Sequence, residues 1–257
     1  MGFDLRDISF AYGPKEVLRS ISITLEPGRF YGVIGPNGCG KTTLLDLMVR
    51  LRQPAAGEIQ YNRKGLDAYS RRWLSREIAL VPQNFYINFP YTAREIVMMG
   101  RYPYIPRFAQ PGPQDHAAVD SIMEKTGTLA FRNRRITDLS GGERQRIVFA
   151  RALAQDTPVL FLDEATSNLD INHTLSLLKV VRRRMQSGER TVVAVLQDIN
   201  LAAMYCDELI FMQQGRIFKR GATERVLNPD TLKAVFNVDA DIAFNAFSES
   251  RQVVFKK

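Results

Sequence analysis

Short unbroken apolar runs alternate along this chain with segments whose apolar residues recur every three or four positions, the pattern of buried parallel strands separated by helices. The runs are Phe30-Tyr31-Gly32-Val33-Ile34, Ile78-Ala79-Leu80-Val81, Pro158-Val159-Leu160-Phe161-Leu162 and Thr191-Val192-Val193-Ala194-Val195-Leu196. Helical spacing marks Leu44, Leu45, Leu47, Met48 and Leu51, then residues 92–100, 114–126, 147–153 and 170 to about 186. Ahead of the first run, residues 3–10 and 20–25 read as strands joined through a Gly13-Pro14 turn, and the chain therefore opens as an antiparallel sheet. Glu58-Ile59-Gln60-Tyr61 is a further strand, followed by a polar turn before Ile78. From residue 84 to about 138 the texture becomes aromatic and irregular, then helical, as expected of an inserted lobe. A hairpin is expected over 208–213 and 216–219 about Gln214-Gly215, then short helices over 222–228 and 230–236. The last residues, with Ile242-Ala243-Phe244 and Gln252-Val253-Val254-Phe255, read as a small β appendage to which the sequence assigns no role.

The fold class is α/β: a mostly parallel sheet, an antiparallel N-terminal β subdomain and an inserted α-helical subdomain. The expected division is one domain over 1–257, with a core and β subdomain in 1–83 and 156–230, a helical subdomain in 84–155 and a C-terminal appendage in 231–257. Composition narrows this little. With 257 residues, 45% of them apolar, the chain buries a full core. No apolar run approaches the roughly 18 residues that cross a bilayer, and Met1-Gly2-Phe3-Asp4 lacks the regions of a signal peptide, so a cytosolic protein is expected. Cys39 and Cys206 are expected to be thiols rather than a disulfide, and His116 and His173 lack metal-ligand spacing, so no zinc is expected. The net charge of +8 raises nucleic acid as a partner, but the basic residues lie in scattered small groups such as Arg71, Arg72 and Arg76 or Lys256 and Lys257. No nucleic acid is expected; a polyphosphate site and an anionic membrane leaflet both suit such a charge.

Chemistry enters between the first apolar run and the first helix. Gly35-Pro36-Asn37-Gly38-Cys39-Gly40-Lys41-Thr42-Thr43 matches G-x-x-x-x-G-K-[ST] in the strand–loop–helix setting that the motif requires. Glycines let successive N–H groups turn inward and form an anion-binding concavity that opens onto a helix N-terminus. Lys41 is placed to supply a point charge to β- and γ-phosphates, and the Thr42 hydroxyl to reach Mg²⁺, which takes few protein ligands beside water and phosphate oxygens.

Further candidates sit at element ends. Tyr12 ends the first strand and is either a half-buried core aromatic or a flat face for a purine. Gln83 lies just beyond a strand end, where α/β sheets gather ligands, within reach of a metal or water. Leu139-Ser140-Gly141-Gly142-Glu143 has capping-box spacing, and its glycines permit a phosphate to approach a second helix N-terminus. Asp163 and Glu164 end an apolar strand, a costly place for two acids without work; Asp163 suits Mg²⁺ held through water and Glu164 the polarising of an attacking water. Asp170 caps the next helix, and Gln197 ends the last apolar run. The aromatic loop Tyr102-Pro103-Tyr104-Ile105-Pro106 either faces a partner or folds back on its lobe.

These motifs in this order resemble the ATP-binding cassette (ABC) family over nearly the whole chain. The resemblance implies that Tyr12 stacks on adenine, that Gly35 to Thr43 hold ATP and Mg²⁺, that Gln83 senses metal and water, and that Glu164 is the catalytic base. It implies a head-to-tail homodimer in which Ser140, Gly141, Gly142 and Glu143 close on the partner's ATP and Asp170 meets the opposing phosphate loop. Gln197 stands where the family usually has histidine; glutamine reaches a γ-phosphate without carrying charge, so a reduced but measurable ATPase is expected. Residues 92–103 and 198–207 are similar to importers of the iron-chelate, haem and cobalamin group. That likeness implies a permease helix docking near residues 84–105, indirect work with a substrate-binding protein, and a place on the cytoplasmic face of the inner membrane. The competing expectations are a soluble cassette ATPase acting on nucleic acid or ribosomes, and a weakly hydrolysing nucleotide-gated clamp.

Overall fold

A computed structural model describes residues 2–256, and Met1 and Lys257, the latter half of the terminal basic pair, lie outside the described residues. The chain forms two compact units, one made of residues up to 69 together with those from 191 onward, the other of residues 70–190.

In the first unit, Phe3–Tyr12 pairs antiparallel with Lys15–Leu25 on one side and Ala56–Tyr61 on the other, and Lys64–Gly65 completes the sheet. Alternation buries Ile21, Ile23 and Leu25 on one face of the second strand, and Leu18 is buried three residues earlier, across a register shift where Ser20 takes a φ of 47°. The register slips between Leu5 and Ile8, where Asp7 takes a φ of 50° and its N–H donates to Ser22 Oγ at 2.8 Å. Phe30–Ile34 lies between Thr191–Val195 and Glu208–Gln213, parallel to both, and Arg216–Ala222 returns antiparallel along the latter. Every residue of Phe30–Ile34 and Thr191–Val195 is buried, as continuous apolar runs in parallel sheets require. Burial pushes the Tyr31 phenol up to about 12, while its oxygen accepts from the Glu26 N–H and donates to the Glu26 carbonyl. The appendage is a hairpin of Ala240–Asn245 and Ser250–Phe255 in unbroken register.

In the second unit, Ile78–Val81 runs parallel to Val159–Asp163. The helix Gly141–Ala154 packs against Ala93–Met98, Pro113–Lys125 and the strand Ile78–Val81. Gly100 allows the closest approach, because a methyl there falls 2.3 Å from the Arg151 carbonyl oxygen. Arg94 pairs bidentately with Asp120, at 2.9 and 3.1 Å.

Residues 71–77, expected as a polar turn, are instead a helix, Arg71–Glu77. Only Leu74 of it is buried, so no apolar stripe betrays it; the Ser70 side chain caps it by accepting from Trp73 N–H, and Arg72 and Arg76 anchor it to the carbonyls of Pro103 and Ile105. The aromatic loop divides between its two readings. Tyr104 folds back, donating to the Gln155 carbonyl at 2.8 Å beneath the guanidinium groups of Arg76 and Arg101, whereas Tyr102 stays exposed.

Candidate nucleotide-binding site

The first unit carries the phosphate loop. The strand Phe30–Ile34 delivers it and the helix Lys41–Met48 leaves it. Gly35 has no room for a side chain, since a methyl falls 2.2 Å from the Met212 carbonyl oxygen, and Gly40 turns the chain into the helix at a φ of 105°, against Leu18. The loop closes on itself through Cys39 N–H to the Pro36 carbonyl at 3.3 Å. The turn at Gly215 ties it down, donating to the Cys39 carbonyl and accepting from Arg19 N–H. Lys41 is only 6% exposed, and its ammonium lies inside the cradle, donating to the carbonyls of Gly35 at 2.8 Å and Pro36 at 3.0 Å. Thr42 is exposed while Thr43 is buried. Cys39 is buried, and that burial pushes its thiol pKa up against the pull of the neighbouring Lys41.

Tyr12 is 42% exposed at the end of its strand, with the Phe10 ring edge-on at 5.0 Å and the Arg52 guanidinium 4.8 Å from its centroid. Arg52 is fixed in turn by Asp46 of the phosphate-loop helix at 3.1 Å. Arg52 is thus part of the aromatic platform, which no motif in the sequence flagged. Gln197 and Asp198 emerge exposed just past the strand Thr191–Val195.

The second unit carries the acids. Because Ile78–Val81 and Val159–Asp163 are parallel, Gln83 and Glu164 leave the sheet at the same edge, and Gln83 Nε2 donates to Glu164 Oε2 at 2.7 Å. A carboxylate accepts only, so Gln83 presents its NH₂ to Glu164 and keeps its carbonyl oxygen for another donor or a cation. Glu164 is 9% exposed and takes a φ of 46°, a left-handed conformation that costs about 1–3 kcal/mol and is characteristic of functional sites. Ser167 holds the strained peptide by donating from both its N–H and its hydroxyl to the Glu164 carbonyl, and Gln145 donates to the Ala165 carbonyl at 3.0 Å. Asp163 is buried.

Ser140 and Glu143 form the expected capping box, in which Ser140 N–H donates to Glu143 Oε2 and Glu143 N–H to Ser140 Oγ. The backbone and hydroxyl of Ser140, with Arg134 beside it, hold the Glu143 carboxyl below its usual range. Gly141 is exposed, with open space where a side chain would project. Asp170 accepts from the His173 N–H and ring, which hold its carboxyl below the ordinary value. Among the described residues no three or more His, Cys, Asp or Glu side chains group so as to hold a metal ion.

A glycine cradle closed by a lysine at a helix N-terminus, delivered by a buried parallel strand, defines a P-loop nucleotide-binding protein. Residues 18–167 match the ABC transporter family, and the chain belongs to it. It is 44% identical over 243 residues, 95% of its length, to the cobalamin import ATP-binding protein BtuD of Halobacterium salinarum, and spans 60% of that longer relative. It is 35% identical to the iron(3+)-hydroxamate import ATP-binding protein FhuC of Bacillus subtilis, covering 91% of this chain and 87% of FhuC. A solved structure of a metal-chelate type ABC transporter in an inward-facing conformation superposes with a TM-score of 0.82 at 29% identity, covering 99% of this chain and 96% of that one.

Proposed function

We propose that this chain is the ATP-hydrolysing subunit of a membrane importer whose cargo is an iron chelate, haem or cobalamin. The observation that carries the hydrolytic part is the buried Glu164, strained at its own φ and held by Gln83, beside the buried Asp163. Tyr12 stacks on adenine. The inward N–H groups of residues 35–43 and the Lys41 ammonium bind the triphosphate, the lysine exchanging its two loop carbonyls for phosphate oxygens. Thr42 and, through water, Asp163 would hold Mg²⁺, which would neutralise phosphate charge. Glu164 accepts the proton of the attacking water, Gln83 aims that water, and Gln197 donates to a γ-phosphate oxygen.

Two copies of the chain face head to tail, so that the exposed Ser140 and Gly141 of one close on the triphosphate of the other and Asp170 meets the opposing loop. The contacts that the partner's Ser140 and Gly141 make with the γ-phosphate exist only in the closed pair, and losing them on hydrolysis returns it to the open state. No described helix is long and apolar enough to cross a membrane. The chain reaches the cytoplasmic face of the membrane through a permease helix docking near residues 84–105, and a substrate-binding protein supplies the cargo. The names of the relatives support import, and the exposed Tyr86, Phe89 and Tyr102 support docking there.

Phosphate release by the parent, Glu164→Gln and Gln197→His tests the proposal. The parent turns over slowly but measurably, Gln197→His is faster, and Glu164→Gln falls by about 10²-fold or more. A parent no faster than Glu164→Gln would leave the clamp reading instead.

A further inference from the structure

The C-terminal appendage, to which the motifs assign nothing, is fastened at one place to the segment that carries Gln197. The Asn200 side chain lies along the outer edge of the strand Ser250–Phe255: its Oδ1 accepts the Val253 N–H at 2.7 Å and its Nδ2 donates to the Val253 carbonyl at 3.3 Å. One side chain thus satisfies both backbone groups of an edge residue, as a neighbouring strand would. The Val253 side chain is 5% exposed, and the strand packs along the helix Ile199–Tyr205. Arg251 adds a second anchor by donating to the Leu227 carbonyl, and Ile242 pairs with Val253 across the hairpin.

The helix so gripped begins two residues after Gln197. It is seven residues long, too short to hold itself in water. Its first turn is held from two directions. Asp198 Oδ1 accepts from the backbone N–H of Asn200 at 2.8 Å and of Leu201 at 3.1 Å, while the Asn200 side chain holds the hairpin. Gln197 and Asp198 are exposed where the chain leaves the strand, and the start of this helix helps to set the direction it takes there.

We propose that the C-terminal hairpin braces the Gln197 segment and that Asn200 is the positioning residue through which it acts, setting where the Gln197 amide points. The effect on hydrolysis rests on the proposed function; the brace itself does not.

The test uses the full chain, with hydrogen exchange at residues 197–202 and ATPase kinetics measured side by side on Asn200→Ala, Asn200→Asp and, as a control at the hairpin tip, the fully exposed Phe247→Ser. Loss of the side-chain bonds in Asn200→Ala should speed exchange of those amides by about 10-fold. It should also lower kcat about 5-fold while leaving the ATP Kd within about 2-fold. Asn200→Asp keeps the acceptor for Val253 N–H and should fall between parent and Asn200→Ala; Phe247→Ser should match the parent. In a Gln197→Ala background, Asn200→Ala should lower kcat no further. The brace is overturned if exchange over 197–202 is unaltered in Asn200→Ala, or if kcat falls equally with and without Gln197. A parent that binds but never hydrolyses ATP sinks the hydrolytic reading instead, and the exchange result alone then decides the brace.

Discussion

The phosphate loop and the Gln83–Glu164 pair are built on opposite principles. The loop is built on its backbone: Gly35 and Gly40 leave no room for a side chain, and even Lys41 is held by main-chain carbonyls. The pair works with side chains on a strained backbone, where Glu164 holds a φ that glycine would adopt freely and that glutamate does not. Binding a polyanion needs many weak donors in a fixed concavity, and a backbone supplies them without rotamer entropy. Moving a proton needs one group of suitable acidity aimed at one point, which only a side chain supplies. The two regions should therefore fail in different ways.

The largest separation is between Lys41→Ala and Glu164→Gln. Lys41→Ala removes a charge from the cradle and should weaken MgATP binding by about 10²-fold. Glu164→Gln keeps size and the Gln83 neighbour, so binding should stay near that of the parent while single-turnover hydrolysis falls by about 10²-fold or more. Isothermal titration beside quench-flow separates the two, and equal losses of binding and turnover in both variants would erase the contrast.

Two glycines sharpen it further. At Gly40 a methyl meets Leu18 at 2.6 Å on a left-handed backbone, so Gly40→Ala should cost about 1–3 kcal/mol of stability and depress ATP affinity in the isolated chain. At Gly141 a methyl meets nothing within 4 Å, so Gly141→Ala should melt and bind ATP as the parent does. Any loss at Gly141 has to come from whatever lies against it. For a head-to-tail dimer the expected outcome is turnover that falls at high protein concentration with unchanged single-site binding. A Gly141→Ala protein with unaltered turnover would remove this surface from the phosphate site.

Why the sequence disclosed one region more readily than the other follows from the same contrast. The spacing Gly35, Gly40, Lys41 is local, and its setting between an apolar run and a periodic one can be read within twenty residues. The Gln83–Glu164 hydrogen bond joins residues 81 apart, and only the parallel pairing of their strands brings them together. Their positions at strand ends were legible; their bond, the strain at Glu164 and the supporting Gln145 were not. Arg71–Glu77 escaped for a different reason: its single buried Leu74 leaves no period to detect, and its anchors at Pro103 and Ile105 are distant in sequence. Arg52 acts through Tyr12 and Asp46 and Asn200 through Val253, contacts that leave no pattern in the sequence.

Stability offers a weaker handle on the second region. Although burial alone pulls the Asp156 carboxyl up, its bonds to Arg190 and Arg184 hold it below the ordinary value, and Arg94 likewise lowers Asp120. A carboxyl depressed in the folded state contributes its stability above the unfolded value, about 3.9 for aspartate, and loses it as pH falls through the folded value. Chemical denaturation should therefore show stability falling below about pH 4, with a shallower slope in Asp156→Asn. An identical slope in that variant would remove this pair from the acid response.

The smallest expected effect concerns the aromatic platform. Arg52 lies over Tyr12 and is fixed by Asp46, so the helix that begins at Lys41 also steadies the ring proposed to stack on the base. Both Tyr12 and Arg52 are partly exposed, which limits a cation–π pair to about 0.5–1 kcal/mol, or roughly 2–5-fold in affinity. Arg52→Ala should weaken ATP by that factor, Asp46→Asn by less, and neither should alter tripolyphosphate, which has phosphates but no base. Tyr12→Ala should abolish the dependence on Arg52 altogether, because a guanidinium with no ring beneath it orients nothing. Equal losses for ATP and tripolyphosphate would mean that Arg52 acts on the phosphates, and the side-chain platform and the backbone cradle would then be one site rather than two.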